Sequence, residues 1–256
     1  MKLATFNVNS ARRRIGHVLR VLQRLSPDVL VLQELKCRTE EFPLMELQGS
    51  GYTAHVIGQT GGRNGVALLS RLPFEVTETA LPGEAEDVQA RFVAARIAGI
   101  ELAGIYLPNG NSGGDEGIAY KWRFQDRLRD WAQAHLDAFR PVALLGDFNV
   151  CPTEADLAKG ALPPGDALVH PESRARFRAL LHQGFTDALR TLHPTDAPFT
   201  YWDYGPAFEL NRGLRIDHAL LSPELAERLV GCGVDLTSRA EESPSDHAPV
   251  WVELRD

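Results

Sequence analysis

Residues that bind metals or activate water stand at the ends of several apolar runs in this chain. Ser245-Asp246-His247 directly precedes the apolar residues 248–252. An acid beside a histidine at the start of a strand can bind a metal or act on a phosphate, and neither residue favours strand formation. Similar polar residues end other apolar runs: Asn7, Glu34, Asp147, Asn149 and Asp217. This recurrence predicts that they meet at one site.

The local context of three carboxylates leaves alternatives open. Glu34 closes a run that should be buried, where an unpaired carboxylate is costly, so it needs a cation or a hydrogen-bond partner unless it already faces water. The spacing of Asp147 and Asn149 places both on one side of an extended segment, although such residues also occur in ordinary turns. Asp217 lies within an apolar run. A buried Asp of this kind pairs with Arg or His, and His247 is a candidate.

The set of possible ligands favours magnesium over zinc. Mg²⁺ prefers a few hard oxygen ligands with water and a substrate phosphate. Carboxylates of Glu34, Asp147 and Asp246, with amide oxygens of Asn7 and Asn149, fit that preference. Zinc sites use several His or Cys ligands. Of the eight histidines, only His247 has an acidic neighbourhood in the sequence.

Composition limits the class of protein. The 256 residues are 44% hydrophobic, which is enough for a substantial core, and residues 1–256 show no repeat or linker, so a single domain is expected. No window approaches the roughly 18 consecutive apolar residues of a membrane span, and no secretory signal is evident. Three widely spaced cysteines offer no disulfide framework. We therefore expect a cytoplasmic protein without a membrane partner.

The charge distribution bears on a nucleic-acid partner. The net charge of −7 argues mildly against one, because non-specific DNA affinity comes from Lys and Arg on phosphates. The arginines are nevertheless clustered, as in residues 12–14, 123–129, 174–178 and 212–215. A DNA-binding face would therefore have to be local. The alternative is that these clusters are solvated helix faces.

Short apolar runs alternate with amphipathic helices, which is typical of an α/β fold. Strands are predicted at residues 3–8, 28–34, 53–57, 65–70, 88–97, 100–107, 142–147, 214–221, 233–236 and 248–254. Helices are predicted at 15–25, 120–139 and 172–183, the second burying Phe124, Leu128, Trp131 and Phe139. The many strands without strict βαβ alternation favour two mixed sheets packed face to face, with helices outside.

Seven segments, in the same order along the chain, carry a family resemblance. They are residues 6–10, 32–36, 64–67, 106–110, 146–149, 211–217 and 244–249, including Gly146-Asp147-Phe148-Asn149 and Pro244-Ser245-Asp246-His247. The chain resembles the exonuclease III family of apurinic/apyrimidinic endonucleases, within the endonuclease/exonuclease/phosphatase superfamily. The resemblance implies a four-layer α/β sandwich, with the active site at one edge of the paired sheets.

The resemblance also implies an activity. Family members hydrolyse DNA phosphodiesters 5′ of abasic sites with Mg²⁺, for which Mn²⁺ can substitute, and many have 3′–5′ exonuclease and 3′-phosphatase activity. The alternative is a mainly 3′-end-processing enzyme with weak endonuclease activity. More distant alternatives are an enzyme acting on another phosphate, such as an inositol phosphate, and a non-catalytic DNA-binding protein. The implied partner is double-stranded DNA with abasic sites or blocked 3′ ends, bound by a monomer in contact with the nucleoid.

Roles carried over from the family fall on particular residues. Glu34 would bind the metal, with Asn7 and Asp246 nearby, and Asp147 would activate the attacking water with help from Asn149. Asp217 would hold His247 in the correct tautomer and charge state. His247 and Tyr106 would contact the scissile phosphate, and Asn109 would form a hydrogen bond beside it. Asn9 replaces an Asp of some relatives, which disfavours a second metal.

DNA contacts are expected from several further residues. The phosphate contacts are Arg12, Lys121, Arg212 and Arg215, which lie beside the matching motifs. Trp202 and Phe208 would pack on an extrahelical sugar or enter the duplex, unless they belong to the core. His170 would narrow the substrate channel.

Overall fold

The computed structural model describes residues 1–255 of the chain, which contain fourteen β-strands and six α-helices. The strands are β1 (Lys2–Asn7), β2 (Val29–Gln33), β3 (Thr53–Ile57), β4 (Val66–Ser70), β5 (Phe74–Glu78), β6 (Phe92–Ile97), β7 (Ile100–Tyr106), β8 (Val142–Asp147), β9 (Thr186–Asp187), β10 (Tyr201–Trp202), β11 (Gly213–Leu214), β12 (Asp217–Leu221), β13 (Leu229–Val234) and β14 (Val250–Leu254). The helices are α1 (Ala11–Leu25), α2 (Gly114–Asp137), α3 (Pro171–His182), α4 (Ala188–Leu192), α5 (Pro223–Ala226) and α6 (Leu236–Arg239).

Two six-stranded mixed sheets form the centre of the molecule. Their strand orders are β13-β14-β1-β2-β4-β3 and β5-β6-β7-β8-β12-β9, and β10 pairs with β11 in a separate short ribbon. The central pairs β1–β2 and β7–β8 are parallel, whereas the other pairs are antiparallel. This arrangement confirms the predicted pair of mixed sheets.

The main core lies between the two sheets. Apolar side chains from β2, β4, β6, β7, β8 and β12 fill it, and they are almost completely buried. Gly104 of β7 allows a close approach, because a Cβ at this position would lie 2.3 Å from Cγ1 of Val31 in the facing sheet. Two outer apolar layers join α1 to the first sheet and the α2–α3 pair to the second. The fold is therefore the four-layer α/β sandwich that was expected.

Several element predictions are confirmed and some are wrong. Strands 53–57 and 142–147 have the predicted bounds, and β6 and β7 form the predicted hairpin. Phe139 was expected on the buried face of the second helix, but the helix ends at Asp137 and Phe139 is 89% exposed. The predicted strand 214–221 is divided, because Leu214 pairs with β10 whereas Asp217 pairs with β8.

The central strands bring chemical groups to one edge of the sandwich. The parallel strands β1 and β2 end at Asn7 and Gln33, and the parallel strands β7 and β8 end at Tyr106 and Asp147. Asp217 begins β12 directly opposite Asp147 in the antiparallel register. The carboxyl ends of parallel strands lie at the same edge of a sheet, so the loops that follow them line a common site.

Within residues 1–255, no helix has both the length and the apolar character needed to cross a membrane. The long helix α2 carries charged residues along its exposed face, including Glu116 and Arg123.

Candidate active site

Two strand-end loops are held together by their main chains. The N–H groups of Ser10 and Ala11 donate to the carbonyl oxygens of Glu34 and Leu35 at 2.8 and 3.0 Å. Glu34 and Asn9 have positive φ angles of 52° and 44°. Backbone in this region costs about 1–3 kcal/mol for a residue other than glycine, so the surrounding contacts must maintain it. The loops therefore fix the direction of the Glu34 carboxylate.

Asn7 bridges the two carboxylates at the centre of the site. Its Nδ2 donates to Oε1 of Glu34 at 2.9 Å and to Oδ2 of Asp147 at 3.0 Å, and the residue is fully buried. Its Oδ1 accepts the N–H of Asn9 at 3.0 Å. In this arrangement the Asn7 amide orients the carboxylates, and its oxygen is already occupied by a main-chain donor.

A buried carboxylate–imidazole pair lies beside Asp147. Asp217 Oδ2 accepts Nδ1–H of His247 at 2.8 Å and the hydroxyl of Thr200 at 2.7 Å. Nε2 of the imidazole lies 3.8 Å from Oδ2 of Asp147. Burial alone would lower the pKa of His247, but the charges of Asp217 and Asp147 raise that pKa to about 10. At neutral pH the imidazole therefore carries a proton on both nitrogens, and Nδ1–H donates to Asp217.

The Asp147 carboxyl experiences opposing influences. Burial and the carboxylates of Asp217 and Glu34 raise its pKa to about 7, against the lowering effect of the His247 imidazolium. A carboxyl with a pKa near the working pH can accept and return a proton efficiently. Asn149 helps to orient it, because its N–H donates to Oδ1 of Asp147 at 2.9 Å and its Nδ2 lies 3.2 Å from Oδ2.

Asn109 and Tyr106 complete the side of the site formed after β7. Nδ2 of Asn109 donates to Oδ1 of Asn149 at 3.0 Å. The Arg91 guanidinium stacks on the Tyr106 ring, 4.6 Å from its centroid. Burial, followed by the negative charge of Glu34, raises the pKa of the Tyr106 phenol well above its usual value. Tyr106 therefore remains a neutral hydrogen-bond donor.

The site contains residues to which the sequence analysis assigned no role. Lys36 Nζ lies 2.8 Å from Oε2 of Glu34 and 2.5 Å from Oδ1 of Asn9. Its charge is the main influence that outweighs burial and lowers the Glu34 pKa. Thr200 supports Asp217, and the ring of Tyr201 packs edge-on against His247 with centroids 5.0 Å apart. Lys36 lies within a matching motif, so its spacing from Glu34 was an available signal, whereas Thr200 and Tyr201 had none.

The carboxylates face a cavity of about 260 Å³. Asp246 lies on its wall, where Oδ1 accepts from Nδ2 of Asn9 at 3.0 Å. Part of the wall is apolar and contains Leu162, Leu168, Leu214 and Ile216. The cavity therefore has an apolar side and, opposite in character, a charged floor formed by Glu34, Asp147 and His247. It is adjoined by a cleft of about 660 Å³ that shares Tyr106 and Asn109.

The residues at the charged floor have the chemistry of a divalent-cation site. Single ligand atoms of Glu34, Asp147 and His247 lie within 4.8 Å of one another. Two of these three groups are carboxylates, and the charge of Lys36 lowers the pKa of Glu34, so Glu34 retains its charge. The donor set is therefore dominated by carboxylate oxygen, which fits a hard cation better than zinc.

Three residues that were predicted to contact DNA are buried, so the prediction is wrong for them. Lys121 is fully buried and donates to three main-chain carbonyl oxygens. Arg215 is 1% exposed and forms ion pairs with Asp156 at 2.6 Å and Asp187 at 2.7 Å. Trp202 is 2% exposed and packs edge-on against Phe208. Burial and existing partners remove these groups from the surface, so Trp202 belongs to the core, as its alternative interpretation stated.

The other expected DNA contacts have different surroundings. Arg12 and Arg212 are exposed, and Arg12 lies 3.9 Å from Glu41. Phe208 is half-buried between Trp202 and the Arg239 guanidinium. His170 does not line the 260 Å³ cavity. Its ring instead packs on Trp122, and its Nδ1 accepts the N–H of Glu172 at the start of α3. The narrowing of the substrate channel by His170 stays a prediction.

Comparison with known proteins agrees with the fold and the site. The sequence model of the Endonuclease/Exonuclease/phosphatase family matches residues 4–247. The chain is 35% identical to exodeoxyribonuclease III of Haemophilus influenzae over 268 residues, covering 100% of both chains. The chain therefore belongs to the endonuclease/exonuclease/phosphatase family, and it resembles exodeoxyribonuclease III along its whole length.

Solved structures show the same likeness. A 3′ phosphatase, NExo, from Neisseria, bound to a product DNA hairpin, superposes with a TM-score of 0.94 at 38% identity, with 100% of both chains covered. An AP endonuclease from Archaeoglobus fulgidus superposes with a TM-score of 0.93 at 35% identity, with 99% of both chains covered. Both sheets and the edge that carries the site thus have counterparts in nucleic-acid-processing enzymes.

Proposed function

We propose that this protein is a metal-dependent DNA-repair phosphodiesterase that cleaves duplex DNA 5′ of abasic sites and also removes nucleotides or phosphate from 3′ ends. The observation that carries this proposal is the buried group Asp147, Asn149, Asp217 and His247 beside Glu34 at the edge of the paired sheets. A purely structural role would give no reason to collect so many costly buried charges at strand ends. The relatives named for exodeoxyribonuclease, AP endonuclease and 3′ phosphatase activity support it.

Glu34 is the principal metal ligand in this proposal, with Asp246 on the same wall of the cavity. The oxygen-rich donor set favours Mg²⁺, with Mn²⁺ as a substitute. The ion would supply neutralisation of phosphate charge and a lowered pKa for bound water. Asn7 holds the Glu34 and Asp147 carboxylates in place through its amide.

Asp147 is the general base in the proposed reaction. Its raised pKa allows it to take a proton from the attacking water, and the two hydrogen bonds from Asn149 direct its oxygens. His247 carries a positive charge toward the cavity because Asp217 stabilises the imidazolium. Its Nε2–H, together with Tyr106 and Asn109, is suited to bind the phosphate oxygens. Phosphoryl transfer depends mainly on such positioning and charge neutralisation.

A mainly 3′-end-processing enzyme with weak endonuclease activity is the second candidate. It is favoured by the 38% identity and the TM-score of 0.94 to a protein named as a 3′ phosphatase. Both candidates use the same catalytic residues. They differ in whether an abasic sugar within an intact strand can enter the cavity.

One comparison of products distinguishes the candidates. Parent protein and Asp147→Asn are incubated with a duplex containing one abasic site, a nicked duplex and a duplex with a 3′-phosphate. The proposal expects strand cleavage 5′ of the abasic site, and loss of all three reactions in the variant. Cleavage of the two 3′-end substrates alone would select the second candidate. Full activity of Asp147→Asn, or activity in excess EDTA, would contradict both.

We further propose that the chain forms one catalytic domain that acts as a monomer in the cytoplasm. Both sheets contribute to one site, and the family model spans residues 4–247. The buried cysteines Cys37, Cys151 and Cys232 are free thiols, as expected in a reducing compartment. Light scattering of the purified protein tests the monomer, and a dimer mass would contradict it.

A further inference from the structure

Lys121 has an unusual position for a lysine in this site. It projects from α2 into the protein and is fully buried. Its Nζ donates to the carbonyl oxygens of Asn109 at 2.9 Å, Asn149 at 2.6 Å and Ala167 at 3.2 Å. These acceptors use all three N–H groups of a lysine ammonium. The group therefore has no donor left for a DNA phosphate.

The three acceptors belong to two loops. Asn109 follows β7, whereas Asn149 and Ala167 lie at the start and near the end of the long segment between β8 and α3. The side chains of the first two residues are also joined, since Nδ2 of Asn109 donates to Oδ1 of Asn149. Asn149 in turn holds Asp147 through its N–H. One ammonium thus connects the loops that carry the groups proposed to act on substrate.

The surroundings of the lysine stem are closely packed. Gly110 has a φ of +90°, and a Cβ at this position would lie 2.8 Å from Cδ of Lys121 and 3.1 Å from Cβ of Ala167. The end of the β8–α3 segment is tied to the loop after β7 as well, because Oδ1 of Asn111 accepts the N–H of Ala167 at 2.8 Å. The lysine stem therefore packs closely against Gly110, and its ammonium is bonded to both loops.

We propose that Lys121 is a positioning residue that sets the placement of the loop after β7 relative to both ends of the β8–α3 segment, and thereby orients Asp147 and Asn109 for the reaction. The inference rests on the proposed function, because its main readout is phosphodiester cleavage. Removal of the ammonium leaves the buried carbonyl oxygens of Asn149 and Ala167 and the part-buried carbonyl oxygen of Asn109 without this donor, which favours displacement of the loops. A displacement of about 1 Å at a reacting group can lower the rate roughly 100-fold.

The test uses Lys121→Ala with chemical rescue. Propylammonium replaces the three carbons and the nitrogen that the substitution removes, whereas tetramethylammonium is a cation without an N–H group. We expect kcat to fall about 100-fold while KM changes less than about threefold, since the group does not touch substrate. Propylammonium should raise the kcat of the variant about tenfold or more, and this effect should saturate with propylammonium concentration. Tetramethylammonium should not raise kcat. Lys2→Ala, at the far end of β1, is the matched control and should respond to neither.

The outcomes separate this inference from the proposed function. Absence of cleavage by the parent protein would refute the proposed function. If the parent cleaves, two results would refute the positioning role. One is a kcat of Lys121→Ala within threefold of the parent value, and the other is equal restoration of kcat by both cations. If Lys121→Ala does not fold, Lys121→Met fills the stem volume without the charge, and a folded Met variant with the parent kcat would refute the role. An independent readout is the amide resonance of Asn149, which should shift in the variant and return with propylammonium.

Discussion

Oδ2 of Asp217 lies 2.8 Å from Nδ1 of His247, and both residues are almost completely buried. The hydroxyl of Thr200 donates to the same oxygen at 2.7 Å, which helps to hold the carboxylate against the imidazole. The pair stabilises the positive charge that His247 directs toward Asp147 and the cavity. This relationship has measurable consequences for activity and for stability.

Asp217→Asn is expected to lower kcat about 100-fold, because an uncharged amide no longer stabilises the His247 imidazolium. The pKa of His247 should fall in the variant. Nuclear magnetic resonance titration of the imidazole and steady-state kinetics measure both effects. Asp115→Asn, an isosteric change at an exposed position, is the control. An unchanged pKa of His247 would contradict the assigned role of Asp217.

The stability of the metal-free protein should depend on pH through His247. The pKa of a histidine in the unfolded chain is 6.5, and that of His247 in the folded protein is about 10. Between these pH values the folded state therefore binds more protons than the unfolded state. The stabilisation is fully present below about pH 6.5 and is lost as pH rises toward 10. Urea unfolding of the parent in EDTA from pH 7 to pH 10 contains this contribution, together with an opposite one from Lys121.

The same measurement on Asp217→Asn isolates the His247 contribution. Burial lowers the pKa of Lys121 to about 7, although its three carbonyl acceptors favour the protonated form, and this shift acts in the opposite direction over the same pH range. The difference between parent and variant cancels that contribution. The difference in free energy of unfolding between parent and variant should decrease as pH rises. A difference that does not depend on pH would exclude His247 as its source.

Glu34→Gln should weaken Mg²⁺ binding about tenfold or more, because the substitution removes the main anionic ligand but keeps its shape. Calorimetry without substrate measures this effect directly and does not depend on catalysis. Glu46→Gln changes an exposed acid and should bind the ion as the parent does. Equal affinity of parent and Glu34→Gln would place the metal elsewhere.

Arg12→Ala and Arg212→Ala should each weaken DNA binding on all sequences and lower the slope of log affinity against log salt by about one. Both side chains are exposed, whereas Arg215 is not. Arg178 is exposed on α3 and provides the matched control, for which the slope should not change. Fluorescence anisotropy with a labelled duplex gives the slopes, and unchanged slopes for both variants would remove these arginines from the interface.

The sequence by itself determined the α/β class, the paired mixed sheets and the polar residues that end the central strands. Apolar runs are local patterns, and the ends of parallel strands meet at one edge, so Glu34 and Asp147 could be predicted to converge. The pairing of Asp217 with His247 could also be predicted from the sequence, because a buried carboxylate needs a cationic or hydrogen-bonding partner.

Only the tertiary structure decided which charged side chains are buried and what each one contacts. Lys121 and Arg215 looked like surface cations, but their farthest partners, Ala167 and Asp156, lie 46 and 59 residues away in the chain. Thr200 reaches Asp217 across 17 residues, and Asn7 reaches Asp147 across 140. Such contacts depend on how loops pack over the sheet edge, because a residue's own neighbours in sequence do not specify its partners in space. The sequence therefore identified the reacting groups, and the packing of the loops determined how they are held.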